Sequence, residues 1–127
     1  MLNDNDRCAK YAEALSRALQ KRPESRVLDI GTGTGLLAML AARAGAKHVD
    51  AVELFQPLAN LATRVVEENQ MQDKISVHVG ASTDFHAPQD DFQAKDLALP
   101  KRADALVTEV FDSALLRENC LETISHA

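Results

Sequence analysis

Tyr11, Leu15 and Leu19 recur every four residues, with Cys8, Ala12 and Ala18 beside them. That spacing predicts an amphipathic helix over residues 4–20, with Asn3 or Asp4 as its N-cap. Residues 21–25 are polar and broken by Pro23, and the apolar run at 27–30 that follows predicts a buried strand ending in a glycine-rich turn. Residues 35–44 are rich in leucine and alanine, which predicts a helix, and Gly45 sits where a C-terminal glycine cap belongs. A second strand is expected over 49–53. Pro57 opens a second helix that runs to about Asn69, with Leu58, Leu61, Ala62, Val65 and Val66 on one face. Alternation over 75–79 gives a third strand, closed by Gly80. Strand, helix, strand, helix, strand is the order of a parallel α/β unit.

Beyond Gly80 the periodicity fades. Residues 81–102 scatter acids, His86, Pro88 and Pro100 among few periodic apolar positions, so they are expected to form a long connection with one helical turn or a short helix. A fourth apolar strand is expected over 103–110, with Glu109 at its end, and residues 111–127 read as a loop turning into a helix. No repeat or low-complexity tract is present. At 127 residues the chain is one domain at most.

Composition narrows the partners. The net charge of −5, with acids and bases interspersed, offers no basic stripe for nucleic-acid phosphates, whereas it suits a cationic partner such as a basic peptide. Cys8 and Cys120 lie far apart and outside any Cys-x-x-Cys spacing, so neither a disulfide framework nor a zinc site is expected. His48, His78, His86 and His126 show no metal-ligand spacing either, and no metal is expected. The polar, acidic start is unlike a secretory signal, and no apolar run approaches a bilayer span. A cytosolic or nuclear protein with no membrane partner is the expectation.

The chemistry gathers at Asp29-Ile30-Gly31-Thr32-Gly33-Thr34-Gly35, between a predicted strand and a predicted helix. Glycines there let the backbone turn tightly and let a ligand approach the main chain. A dinucleotide fingerprint wants its third glycine where Leu36 stands, and a phosphate loop wants Gly-Lys-Ser/Thr, which is absent. Glu53 ends the second strand, where an acid can accept hydrogen bonds from both ribose hydroxyls of a nucleoside. That position alone does not choose between nucleoside ligands. After the fourth strand, Glu109 and Glu118 stand nine apart around a loop at the carboxyl end of the sheet. Alone, Glu118 would read as a solvated helix residue.

An acid followed by alternating glycines resembles motif I of the class I S-adenosylmethionine-dependent methyltransferases. The segment from Thr108 to Glu118 resembles the double-glutamate loop of the protein arginine methyltransferases, and Met1-Leu2-x-Asp4-x-x-Arg7-x-x-x-Tyr11 resembles their cofactor-covering helix. The three matches occur in the family's order and cover nearly the whole chain. Asp112, three residues after Glu109, is similar to the aspartate of the type III, monomethylating branch where most members carry glycine. Arg117 and Asn119 depart from the glycines common on either side of the second glutamate.

This resemblance implies a Rossmann-like α/β sheet of strand order 3-2-1-4, divided into a cofactor-covering helix at 1–22, a core at 23–110 and the double-glutamate loop with a helix at 111–127. It implies S-adenosylmethionine as cofactor and transfer of a methyl group to a guanidinium nitrogen of protein arginines, such as those of histones and RNA-binding proteins. Glu109 and Glu118 would be catalytic. Gly31, Gly33 and Asp29 would serve the methionine part, Asp29 more as a brace for the turn than as a contact. Glu53 would hold the ribose, Ser82 and Thr83 the adenine region, and Arg7 the cofactor carboxylate. A guanidinium stays protonated in water and is a poor nucleophile, so two carboxylates that orient it and offset its charge answer the chemical need. Placing nitrogen and methyl about 3–3.5 Å apart in line would supply much of the acceleration. The family's fold continues into a β-barrel-like domain with a dimerisation arm and a threonine-histidine-tryptophan loop. With no tryptophan in the sequence, a fragment that pairs with a second copy or module is expected. Two other functions compete: a non-catalytic module binding cofactor or a partner, and a small-molecule methyltransferase on the same fold.

Overall fold

The computed structural model describes residues 3–86, 97–110 and 120–127. The first amphipathic stripe folds as helix α1 (Asn5–Gln20), capped by Asp4, whose side chain accepts from the Arg7 backbone N–H. Only one side of α1 needs burial, and Leu15 and Leu19 supply it. Then follow β1 (Arg26–Ile30), α2 (Leu36–Arg43), β2 (His48–Glu53), α3 (Gln56–Glu68) and β3 (Ile75–Val79). The short elements β4 (Phe85–His86) and β5 (Leu97–Ala98) precede β6 (Ala105–Thr108) and α4 (Cys120–His126).

The main sheet has the order β3-β2-β1-β6, all pairs parallel. This is the 3-2-1-4 arrangement expected from the sequence, with β6 as its fourth strand. Buried on both faces, β1 and β2 read as near-continuous apolar runs, as central parallel strands must. On one face Val27, Val49, Ala51, Ile75 and Val107 pack against Leu15 and Leu19 of α1, Leu37, Ala38 and Ala41 of α2, and Val66 of α3. On the other, Leu28, Ile30 and Val52 meet Phe85, Leu99, Val110 and Cys120.

Two boundaries differ from expectation. Residues 81–102 were expected to form a connection with a helical turn. Ser82–Asp84 is a 3₁₀ turn, but β4 and β5 also pair in parallel as a separate two-stranded sheet. Phe85 drives this pairing, because it is buried against the second core face. The fourth strand, expected over 103–110, is shorter. Its start is set by Asp104, whose N–H donates to the Arg26 carbonyl and whose side chain accepts from the Arg26 N–H, both at 2.8 Å. Past Thr108 the chain leaves the sheet, which turns Glu109 and Val110 toward the glycine loop.

Candidate active site

The carboxyl end of the sheet is where the glycine loop turns. Gly31, Gly33 and Gly35 all have positive φ (73°, 57° and 85°), conformations that cost a side-chain-bearing residue free energy. Gly31 is doubly constrained, since a Cβ there would lie 3.1 Å from Val110 Cγ1. The loop is held across the end of β2, where the Gly31 and Thr32 N–H groups both donate to the Val52 carbonyl, 2.9 and 3.1 Å.

Glu53 ties the next strand end to the same loop. Its Oε2 accepts from the Gly33 N–H at 2.9 Å and its Oε1 from the Phe55 N–H at 3.0 Å. Each oxygen keeps a lone pair, so the carboxylate is oriented by the backbone and still able to accept from a ligand. Asp29 is fully buried and accepts from the Thr32 hydroxyl at 2.6 Å. Burial pushes its carboxyl up to about 6, against the opposing hydrogen bonds from Thr32 and the Ala38 backbone. Asp29 is thus bonded inside the loop, to Thr32.

A cleft of ≈ 610 Å³ opens between these strand ends, of a size that suits a nucleoside-bearing ligand. Gly31, Gly33, Glu53, Ser82, Thr83 and Glu109 all line it. A second recess of ≈ 390 Å³ runs from Asn3 along residues 31–34 to Glu109. Glu109 therefore stands on the rim shared by both spaces. Leu54, Leu58 and Thr123 also line the cleft and were not anticipated. Leu54 follows Glu53, a place the sequence could have flagged; Thr123 comes from α4, whose approach only the tertiary fold decides.

Arg7 pairs with two acids, its Nη1 donating to Glu109 Oε1 and its Nε standing 3.3 Å from Asp4 Oδ2. Tyr11 fastens the same helix, its hydroxyl donating to the Thr108 carbonyl at 3.1 Å. Burial, with Glu109 nearby, raises the Tyr11 phenol. Thr108 in turn donates to the Ile30 carbonyl at 2.8 Å, so the residue before Glu109 is tied both to α1 and to the strand that feeds the glycine loop. Glu118 and Asp112 lie outside the described residues. Among the described residues no group of histidine, cysteine, aspartate and glutamate could hold a metal ion. No helix among them is long and apolar enough to cross a membrane.

Residues 8–116 match the family profile described as ribosomal protein L11 methyltransferase (PrmA). The chain is 46% identical over 132 residues to protein arginine N-methyltransferase 7 of Gallus gallus and 40% identical over 131 residues to that of Aedes aegypti. It is covered in full by both matches yet spans 18% of the length of either relative. Among solved structures it resembles Arabidopsis thaliana protein arginine methyltransferase 10, with TM-score 0.80, 31% identity, all of this chain and 33% of that one. It resembles equally the Trypanosoma brucei PRMT1 enzyme-prozyme heterotetrameric complex with AdoHcy, with TM-score 0.79, 31% identity, all of this chain and 36% of that one. The chain belongs to the methyltransferase family that the PrmA profile describes and, within that fold, to the protein arginine N-methyltransferases.

Proposed function

We propose that this chain is the S-adenosylmethionine-binding part of an enzyme that adds a single methyl group to arginine side chains of protein substrates. The observation that carries the reading is the Glu53 carboxylate, bonded to the glycine loop through Gly33 N–H, with Glu109 across the same cleft. The bound cofactor supplies an electrophilic methyl group on a sulfonium. Glu53 accepts from the ribose hydroxyls, Ser82 and Thr83 border the base, and the glycine loop admits the amino-acid end without side-chain obstruction. Glu109, with Glu118 as the second carboxylate, receives the planar donor fork of the substrate guanidinium and offsets its charge. One carboxylate then takes the proton released as nitrogen is methylated.

Several findings support this reading. The Trypanosoma relative is a complex with AdoHcy, and the curated relatives are arginine methyltransferases of the kind numbered 7. A single methyl is favoured by the aspartate at position 112, three residues after Glu109, the residue that resembles the monomethylating branch. The same Trypanosoma structure is a heterotetramer, and pairing with a second copy or module of a longer protein is the assembly we propose here.

Calorimetric titration with S-adenosylmethionine tests the cofactor half. Wild type should bind saturably, and Glu53→Ala should lose about 2 kcal/mol of affinity, the worth of hydrogen bonds to a charged acceptor. Glu109→Gln should bind the cofactor undiminished while losing affinity for an arginine-containing peptide. Equal cofactor affinity in wild type and Glu53→Ala would remove the basis of the proposal.

A further inference from the structure

Glu109 stands between two anchored residues. Its predecessor, Thr108, ends β6 with both of its oxygen atoms bonded: the carbonyl accepts from the Tyr11 hydroxyl at 3.1 Å, and Oγ1 donates to the Ile30 carbonyl at 2.8 Å. Its successor, Val110, is buried and rests against Gly31, where an added Cβ would lie 3.1 Å from Val110 Cγ1. Bonding the Thr108 carbonyl orients the planar peptide unit that enters Glu109, and with it the direction in which the Glu109 side chain leaves the backbone. Arg7, one turn before Tyr11, pairs with the Glu109 carboxylate itself. With the two side chains 51% and 24% exposed, such a pair is weak and leaves the backbone free. Burial, and then Glu109, raise the Tyr11 phenol, so it stays protonated and able to donate across the neutral range.

We propose that Tyr11 and Thr108 are positioning residues for Glu109, holding its backbone so that its carboxylate meets the planar donor fork of a substrate guanidinium in one orientation. This deepens the proposed function and rests on reading Glu109 as the residue that receives that guanidinium. A bidentate pair needs the carboxylate and guanidinium planes matched, and a misplacement of about 1 Å at a reacting group is costly. Without the Tyr11 hydroxyl the Thr108 carbonyl loses that donor. Without the Thr108 hydroxyl the end of β6 loses its side-chain bond to β1. Either way the peptide unit before Glu109 gains freedom, and the carboxylate with it. The cofactor side of the cleft keeps its own supports, since Gly31 and Thr32 donate to the Val52 carbonyl and Gly33 donates to Glu53. Affinities for substrate and for cofactor should therefore separate.

The test uses the full chain at a temperature where melting curves show every variant folded. Affinity for a labelled glycine-arginine peptide is read by fluorescence anisotropy, and affinity for S-adenosylhomocysteine by calorimetry. Tyr11→Phe and Thr108→Val should each weaken the peptide about three- to tenfold, the range of one net hydrogen bond, and leave S-adenosylhomocysteine within about twofold. Thr108→Ser, which keeps the hydroxyl, should hold peptide affinity within about twofold of wild type. On a Glu109→Ala background, Tyr11→Phe should change peptide affinity by less than about twofold, because no carboxylate is left to position. Peptide affinity unchanged by Tyr11→Phe and Thr108→Val while Glu109→Ala weakens it overturns the inference and leaves the reading of Glu109 standing. The same fractional loss from Tyr11→Phe with and without Glu109 does so too. An equal loss for peptide and S-adenosylhomocysteine also overturns it, marking the two hydroxyls as supports of the whole cleft. Equal peptide affinity in wild type and Glu109→Ala defeats the reading of Glu109 and this inference together.

Discussion

Asp29 is a carboxylic acid with no exposed surface, and burial lifts it from 3.8 to about 6. Its folded value lies above its unfolded one, so its favourable contribution is fully present below pH 3.8 and is lost as pH rises through 6. Above that pH the buried carboxylate costs the fold ~3 kcal/mol. Asp29→Asn keeps an acceptor for Thr32 and removes the ionisation. Urea unfolding should find it close to wild type at pH 3.5 and more stable at pH 8 by up to about 3 kcal/mol. Asp50 is the opposite case. Burial pushes its carboxyl up, but hydrogen bonds from His78 and Arg26, at 3.0 and 2.8 Å, outweigh burial and hold it below its usual value. Truncation to Asp50→Ala leaves the nearly buried Arg26 guanidinium without this partner and should cost about 3 kcal/mol in the same assay at pH 7. The contrast in legibility is physical. The glycine loop and Glu53 could be read from the sequence because their spacing answers a local backbone requirement. Asp50 could not, because Arg26 and His78 lie 24 and 28 residues away and reach it only through strand register.

Helix α1 shows how far pattern alone carries an element. Its stripe announced Leu15 and Leu19 as buried, and Leu19→Ala should cost about 3 kcal/mol by thermal or urea melting. Tyr11 belongs to the same stripe, yet its hydroxyl is what fastens the helix to Thr108. Tyr11→Phe should lose about 1 kcal/mol. The glycine loop gives the sharper test of backbone conformation. Gly35 caps α2 in the left-handed region at φ 85°, with room for a methyl group 3.7 Å from Ala62 Cβ. Gly35→Ala should therefore cost roughly 1–2 kcal/mol from backbone strain rather than from crowding. Residues 81–102 defied the same kind of reading. Strands of two residues carry too few positions to show a period, so Phe85 and Leu99 appear as core only once the second face of the sheet exists.

For the molecule as a whole, burial is concentrated on β1 and β2, which have neighbours on both sides, while β3 and β6 each pair on one side among the described strands. Native-state hydrogen exchange should accordingly be slowest for the amides of residues 27–30 and 49–52 and faster for those of β3 and β6. Uniform protection across all four strands would mean that β3 and β6 open only with the whole sheet. The parallel order also explains why the cleft lies where it does: every strand delivers its carboxyl end to the same edge, so loops distant in sequence meet there.

The sequence by itself determined the α/β class, the places of the principal helices and strands, the glycine turn and the acid at the end of β2, because each depends on local periodicity or on backbone conformations that only glycine adopts readily. It also singled out Arg7 and Glu109 as candidate site residues. Only the tertiary structure decided that these two meet, across 102 residues of chain. Likewise it decided that Asp50 holds Arg26 and His78, and that α4 contributes Thr123 to the cleft. Such contacts follow from strand order and helix docking, which are set by burial of the whole core and leave no periodic trace at the residues concerned.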